Sequence, residues 1–194
     1  MEILITGPLK GNVERLKGLV EVSNPEIVIV IGPLELEEPL KLGRTWLYTR
    51  GAGDDLKLLS RSDGIDVMSR LFKTKEGISF AGISGIYHPS TARFTRQEWI
   101  KAKGKLDRRK QNYIFREDIE NLIALFLRSG LSRIDFLVIS DIPTRPVFEK
   151  VLQITRPKTV FYPAATYTKE KVGDTTFVGL EEISSQKGKY ILRV

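Results

Sequence analysis

Apolar and polar positions in the first part of the chain follow a strand, helix, strand order. Residues 1–6 (MEILIT) and 27–31 (IVIVI) are apolar runs of strand length, and residues 13–22 between them carry apolar side chains at helical spacing. This unit predicts two parallel strands with a right-handed crossover. The loops that follow the strands, 7–12 and 32–33, are therefore expected side by side at the carboxyl edge of the sheet, where open α/β sheets place their binding sites.

The rest of the chain continues to alternate between strand and helix patterns. The pattern at 117–129 is typical of a packed helix, with acids in its first turn and Gly130 after its end. Another helix is predicted to begin at Pro146, and 65–68 and 78–81 are predicted to form a hairpin with its turn at 76–77. Further strands are predicted at 44–49, 135–139, 159–162, 175–180 and 189–194.

Length and composition favour one α/β domain spanning residues 1–194. The chain has 194 residues, of which 41% are hydrophobic, and no low-complexity linker divides it. The absence of cysteine excludes a disulfide scaffold, and no apolar run reaches the roughly twenty residues that cross a bilayer. With no basic and apolar leader, we expect a cytoplasmic protein without membrane contact. The high content of charged residues favours a thermophilic source.

The first two loops, in the stretch TGPLKGNVERLKGLVEVSNPEIVIVIGPLEL, resemble the opening of calcineurin-like metallophosphoesterases. In that family one strand ends in Gly-Asp-x-His-Gly-Asn and the next in Gly-Asp, and these acids and the histidine hold a two-metal centre. The corresponding residues here are Pro8, Lys10 and Pro33.

In later loops, too, other residues stand at the positions of the family's metal-binding and catalytic residues. Ala52 and Gly53 occupy the positions of the family's bridging Asn and catalytic His. Asp141 replaces a metal-binding His after the strand 135–139, and Ala164 and Thr166 replace the two histidines of the last metal motif.

The resemblance implies a four-layer αββα sandwich, with two mixed sheets flanked by helices, that has lost its metal centre. His88 is the only histidine, and one imidazole cannot supply a two-metal site. Carboxylates alone can still bind Mg²⁺ weakly. We therefore expect a protein that is not an enzyme and needs no cofactor.

One branch of the family, the RNA lariat debranching enzymes, resembles this chain more specifically. The segment 80–86 (FAGISGI) is similar to the Gly-Gly-Ile-Ser-Gly-Ile segment of that branch, and 113–116 (YIFR) is similar to the end of its insertion. The resemblance implies that residues 86–116 correspond to the insertion with which that branch recognises branched RNA.

The excess positive charge of the chain is concentrated in residues 93–116. This segment holds nine basic residues against two acids, a net charge of +7, which equals the net charge of the whole protein. Removing them from totals of 31 bases and 24 acids leaves 22 of each, so the remainder is neutral. The basic residues are Arg93, Arg96, Lys101, Lys103, Lys105, Arg108, Arg109, Lys110 and Arg116.

Aromatic residues interrupt the basic ones. Cations neutralise phosphates and aromatic rings stack on unpaired bases, so Trp99 and Tyr113 together with the cations predict a nucleic-acid interface, with RNA favoured over DNA. The alternative is a solvated basic helix whose aromatic side chains pack on the body of the protein, and the charge also suits an acidic protein partner.

A second candidate site lies at the degenerate metal edge. Lys10 can replace part of a metal ion's charge toward an anion, with Asn12 and His88 as neighbouring candidates. The alternative is that Lys10 is an exposed loop residue and His88 a surface residue.

Three function classes follow. The first is a non-catalytic protein that binds nucleic acid, and the second is a scaffold or accessory subunit of a nucleic-acid-processing complex. The third is a phosphodiesterase with altered chemistry. The sequence leaves the oligomeric state undetermined.

Overall fold

The computed structural model describes residues 1–193. In chain order their strands are β1 (Glu2–Thr6), β2 (Ile27–Val30), β3 (Trp46–Tyr48), β4 (Ile65–Asp66), β5 (Arg70–Lys73), β6 (Ser79–Ile83), β7 (Phe136–Ile139), β8 (Thr159–Pro163), β9 (Thr168–Val172), β10 (Thr175–Leu180) and β11 (Lys189–Arg193). Their helices are α1 (Val13–Ser23), α2 (Leu56–Leu59), α3 (Arg96–Lys103), α4 (Arg116–Ser129) and α5 (Pro146–Thr155), with a 3₁₀ turn at Lys110–Asn112.

The strands form two mixed sheets. Sheet A has the order β11-β1-β2-β3-β4, in which β1 to β4 are parallel and β11 is antiparallel to β1. Sheet B has the order β5-β6-β7-β8-β10-β9, with a parallel centre and antiparallel strands at both edges. The parallel strands of each sheet therefore direct their following loops toward one edge.

Alternation along the strands places a core on each face of each sheet. In β1, Ile3 and Ile5 belong to the core between the sheets, together with Phe80 and Phe136 of sheet B, whereas Leu4 faces the opposite side. This period of two is the geometry of a strand whose two faces are both covered.

Helices cover the outer faces. Leu16 and Leu19 of α1 and Leu59 of α2 pack on the outer face of sheet A, and α4 and α5 cover the outer face of sheet B. The layers are thus helix, sheet, sheet and helix. The predicted α/β fold with two mixed sheets flanked by helices is confirmed.

The hairpin prediction needs a correction. Residues 65–66 form β4, which pairs in parallel with β3 in sheet A, while the hairpin joins β5 to β6 in sheet B. Between Asp66 and Arg70 the chain crosses from one sheet to the other, with Ser69 at a positive φ of 53°. Apolar Val67 and Met68 fill this crossing, which made it indistinguishable from a strand in the sequence.

Two further differences concern the periphery of the sheets. Strand β9 was not predicted, because its residues TKEKV are mostly exposed and carry little apolar alternation. The predicted strand 189–194 is present as β11 through Arg193, and Val194 lies outside the described residues. None of the helices within residues 1–193 combines the length and apolar character that crossing a bilayer requires.

Candidate nucleic-acid interface

Loops from both sheets meet at the carboxyl edge of the parallel strands. Within sheet A, the backbone N–H groups of Leu9 and Lys10 donate to the carbonyl oxygen of Pro33 at 3.1 and 3.2 Å. Between the sheets, the N–H of Gly85 donates to the carbonyl oxygen of Arg50 at 2.9 Å. The predicted neighbourhood of the first two loops is therefore confirmed.

Small and apolar residues form part of this edge, at four of the positions that the sequence resemblance matched to metal-binding or catalytic residues. Pro8 is buried and Pro33 half-buried, and Gly51 lies so close to Pro33 that an added Cβ would be 2.6 Å from its ring. Ala52 and Gly53 are exposed. Their side chains offer no group that coordinates a metal ion.

The carboxylate of Asp141 serves the backbone. It accepts hydrogen bonds from the N–H groups of Tyr87 at 2.8 Å and Ile142 at 2.7 Å, and Arg145 lies 3.4 Å from it. The neighbouring Ser140 hydroxyl donates to the carbonyl oxygen of Gly85 at 2.7 Å. Asp141 thus holds the loop after β6 against the loop after β7.

Asp54 is a buried acid of the edge whose carboxylate binds backbone N–H groups from two loops. Its carboxylate accepts from the N–H groups of Leu34, Glu35 and Gly51 at 2.8–2.9 Å and is 2% exposed. Burial nevertheless raises the pKa of Asp54 above its ordinary value. The next residue, Asp55, caps α2 instead, accepting from the N–H of Lys57 at 2.9 Å.

A buried polar cluster that the sequence did not predict joins the two sheets. Arg50, 7% exposed, forms an ion pair with Asp66 at 2.7 Å, and the Ser84 hydroxyl donates to the same carboxylate. Arg50 also donates to the carbonyl oxygen of Gln111 at 2.9 Å. These residues lie far apart in the sequence, so no local pattern links them.

Lys10 and Asn12 each have a local partner. The Lys10 ammonium lies 3.0 Å from the carboxylate of Glu182, which raises the pKa of Lys10. The Asn12 side chain accepts from the N–H of Arg15 at 3.2 Å and caps α1. The structure therefore pairs the predicted anion-binding lysine with an acid.

His88 is exposed and contacts the segment 93–116 through Tyr113. Its ring stacks on Tyr113, with centroids 5.1 Å apart and planes 1° from parallel. Its Nδ1 lies 2.6 Å from the Ser90 hydroxyl. Tyr113 is 8% exposed, so His88 covers the face that the sequence assigned to a nucleic-acid base.

Four of the predicted nucleic-acid-binding cations form ion pairs within the protein. Arg96 binds Glu117 and Asp118, both at 2.7 Å, and Arg116 binds Glu98 at 2.8 Å. In addition, Arg108 contacts Asp55 at 2.6 Å and Lys110 contacts Asp107. Arg96 and Arg116 join α3 to α4, so they stabilise the position of the segment.

The other cations of the segment are exposed, and within residues 1–193 they form no ion pair. They comprise two arginines, and three lysines at alternate positions around the end of α3. These residues are Arg93, Lys101, Lys103, Lys105 and Arg109.

The aromatic side chains of the segment build a small core of their own. Trp99 (7% exposed) and Phe115 (fully buried) meet edge to face at 6.3 Å, and Phe94 contacts Trp99 in the same way at 5.9 Å. Trp99 therefore offers no free face to a base. It follows the alternative interpretation of the sequence, in which the aromatic side chains pack on the body of the protein.

Backbone contacts fix the end of the segment to the sheet edge. The N–H of Ile86 donates to the carbonyl oxygen of Asn112 at 2.9 Å, and Ile114 donates back to Ile86 at 3.0 Å. The side-chain amide of Asn112 donates to the carbonyl oxygen of Asp54 at 2.8 Å. The cationic turn before residue 112 is thereby held next to the loop 52–54.

Sequence comparisons identify no relative. A comparison with protein-family models finds no match, and a comparison with curated proteins finds no significant similarity.

Solved structures are similar in fold. TT1561 of Thermus thermophilus superimposes with a TM-score of 0.66 at 14% identity, over 94% of this chain and 90% of that one. A second crystal structure gives the same TM-score and identity over 98% and 94% of the two chains. A hypothetical protein, also from Thermus thermophilus, gives 0.51 at 12% identity over 92% and 75%. At these identities the likeness establishes one α/β domain fold.

Proposed function

We propose that this chain is a non-catalytic protein of the metallophosphoesterase type that binds nucleic acid, RNA in preference to DNA, through the exposed cations of residues 93–116. The observation that carries the proposal is the group Arg93, Lys101, Lys103, Lys105 and Arg109, which is exposed and free of internal ion pairs within residues 1–193. Exposed cations without partners are available to phosphates and release counterions when they bind them.

The identity of the residues at the edge supports the non-catalytic part of the proposal. Pro33, Ala52 and Gly53 follow strands at positions where the family that the sequence resembles carries metal-binding or catalytic residues, and the carboxylate of Asp141 accepts from two backbone N–H groups. The carboxylate of Asp141 thus holds two loops together, and Pro33, Ala52 and Gly53 carry no side-chain group that could bind a metal ion.

The test measures binding of fluorescently labelled single-stranded RNA and DNA oligonucleotides over a salt series. The Lys101→Ala/Lys103→Ala variant removes two exposed cations from the end of α3. The matched control, Lys73→Ala/Lys75→Ala, removes two equally spaced exposed lysines from the hairpin of β5 and β6, far from the carboxyl edge.

We expect RNA binding whose salt slope falls by about 1.4 in the α3 variant, since each single-strand phosphate contact contributes about 0.7. The hairpin variant should match the wild type in slope. Equal slopes in all three proteins, or no binding at low salt, would refute the proposal.

A scaffold role is the second candidate, and exposed apolar side chains favour it. Leu127 on α4 is 66% exposed and Ile100 on α3 is 47% exposed. If the chain fails to bind nucleic acid, analytical ultracentrifugation with candidate acidic protein partners becomes the informative measurement.

A further inference from the structure

A cavity of about 520 Å³ lies at the amino edge of sheet B, the edge opposite the candidate interface. Strands β7, β8 and β10 are parallel neighbours, so the connections that lead into them meet at this edge. The volume lies within the range of about 300–1,000 Å³ that is typical of small-molecule sites. These connections, together with α5 and the first residue of β10, supply the lining residues Ser132, Arg133, Leu152, Arg156, Asp174 and Thr175.

Backbone carbonyl groups of lining residues hold the guanidinium groups of two arginines at this cavity. Exposed Arg156 donates from Nη2 to the carbonyl oxygen of Ser132 at 2.7 Å, and half-buried Arg133 donates from Nη2 to the carbonyl oxygen of Asp174 at 3.4 Å. Within residues 1–193 neither side chain forms another hydrogen bond. A guanidinium carries several N–H donors, so each arginine keeps donors for a ligand.

The positive charge of these two arginines is only partly balanced in the cavity. In the part of the chain that the structure describes, neither forms an ion pair, and each is held by an uncharged carbonyl group. Asp174 is the one acid among the lining residues, so the cavity has two cationic side chains and one carboxylate. A guanidinium binds phosphate or carboxylate oxygens through parallel N–H groups, so the remaining charge favours an anionic ligand.

The backbone at Arg156 gives an independent indication that its side chain has a use. Arg156 follows the last turn of α5 with a φ of 44°, in the left-handed region that favours glycine. Its backbone N–H donates to the carbonyl oxygen of Leu152 at 3.0 Å, a contact that glycine forms equally well. The end of the helix therefore does not explain an arginine at this strained position, whereas an anion site in the cavity does.

We propose that this cavity binds a small organic phosphate, with the phosphate group on the guanidinium groups of Arg133 and Arg156. A phosphate presents oxygens in several directions and therefore suits two separate guanidinium groups better than a planar carboxylate does. The phosphate group fills only part of the volume, and the remainder, next to Leu152, accommodates the organic part. The inference is independent of the proposed function, because no residue of 93–116 lines this cavity.

The test is calorimetric titration of the protein with phenyl phosphate and, separately, with benzoate and with inorganic phosphate. The variants Arg156→Gly and Arg133→Ala each remove one guanidinium group. Asn24→Gly is the matched control for the first, because Asn24 follows α1 with a φ of 45° and lies outside the cavity. Arg61→Ala is the control for the second, because Arg61 is exposed, forms no ion pair within residues 1–193 and also lies outside the cavity.

We expect saturable binding of phenyl phosphate that weakens at least tenfold in Arg156→Gly and Arg133→Ala and less than twofold in the controls. Benzoate and inorganic phosphate should each bind at least tenfold more weakly than phenyl phosphate. Asp174→Asn should strengthen binding, because it removes a negative charge from the cavity wall. The inference is overturned if phenyl phosphate does not bind, if a control weakens binding as much as its matched variant, if Asp174→Asn weakens binding, or if benzoate or inorganic phosphate binds as tightly.

Thermal unfolding separates loss of the site from loss of the fold. Arg156→Gly should melt within about 3 °C of the wild type, because relief of the backbone strain offsets the lost hydrogen bond to Ser132. If it melts lower, Arg156→Asn replaces it, since asparagine also tolerates a positive φ, and this variant should weaken phenyl phosphate binding to the same extent. Wild-type affinity in a folded variant at position 156 would overturn the inference.

Binding of the labelled RNA distinguishes this inference from the proposed function. The salt slope should be unchanged in Arg156→Gly, and a fall by about 0.7 would assign Arg156 to an RNA phosphate and overturn the inference. Binding of phenyl phosphate without binding of RNA would overturn the proposed function alone. Binding of RNA without binding of phenyl phosphate would overturn the cavity inference alone.

Discussion

Arg96 holds the carboxylate of Asp118 with two parallel hydrogen bonds, from Nη1 to Oδ1 at 2.7 Å and from Nη2 to Oδ2 at 2.9 Å. Asp118 is 4% exposed and also accepts from the N–H of Phe115 at 2.8 Å. This arrangement joins the start of α3 to the start of α4. Arg96 therefore stabilises the position of the segment 93–116.

We therefore predict that Arg96→Ala lowers the free energy of unfolding by about 2 kcal/mol, a value below that of fully buried pairs because Arg96 is partly exposed. Arg96→Lys should recover only part of this, since an ammonium lacks the planar fork. Urea unfolding measures both variants. The salt slope of RNA binding should stay at the wild-type value, and a fall by about 0.7 would contradict this assignment.

A second prediction concerns Asp54. Truncation to alanine leaves the N–H groups of Leu34, Glu35 and Gly51 without their acceptor, so we expect a loss of at least about 3 kcal/mol of stability. Asp55→Ala is the neighbouring control, and loss of its cap on α2 should cost about 1 kcal/mol. Equal losses in urea unfolding would contradict the role assigned to Asp54.

A third prediction concerns Lys10. Because Glu182 lies 3.0 Å from its ammonium, Lys10→Ala should change RNA affinity by less than twofold and leave the salt slope unchanged. Glu182→Gln should make the ammonium available and strengthen binding. A reduced salt slope in Lys10→Ala, measured with the same labelled RNA, would instead support an anion site at this edge.

The fourth prediction compares two glycines with positive φ. Gly85 has a φ of 101°, and an added Cβ would lie 2.7 Å from the carbonyl oxygen of Asn112, whereas Gly104 has a φ of 88° and open space around it. Gly85→Ala should cost about 2–3 kcal/mol because it adds a steric clash to backbone strain, and Gly104→Ala about 1 kcal/mol. Thermal and urea unfolding measure both variants. The reverse order would contradict the close approach at Gly85.

The fifth prediction is a pH dependence. Burial, with a smaller contribution from Asp66, raises the pKa of Tyr48 to about 12. An unfolded tyrosine ionises near pH 10, so the neutral side chain contributes stability that is fully present below pH 10 and is lost as the pH rises toward 12. Absorbance titration should detect one late-ionising tyrosine, and Tyr48→Phe should remove it. A normal titration of all six tyrosines would contradict the prediction.

The sequence predicted the strands and helices well wherever burial follows a local period. Residues 27–31 and 117–129 are examples, because their apolar spacing directly reflects the faces that they bury. The apolar run 65–68 was wrongly predicted to pair with 78–81 as a hairpin, since an apolar run does not specify which sheet it enters.

The candidate site was less predictable because its properties depend on distant partners. Charge counting treated Arg96 like Lys101, although only Arg96 meets acids more than twenty residues away. Composition likewise could not reveal that Trp99 is enclosed by Phe94 and Phe115. The polar cluster around Arg50 gave no signal, because its members come from separate parts of the chain that only the fold brings together.

The antiparallel pairing of β1 with β11 has a consequence for the order of folding. Glu2 is opposite Arg193, so this contact closes a loop of almost the whole chain, whereas the hairpin of β5 and β6 closes a short one. Loop closure entropy rises with the length of the loop, and long-range strand pairing slows folding. The hairpin is thus expected to form early, and the β1 edge of sheet A stays open to other strands until β11 covers it.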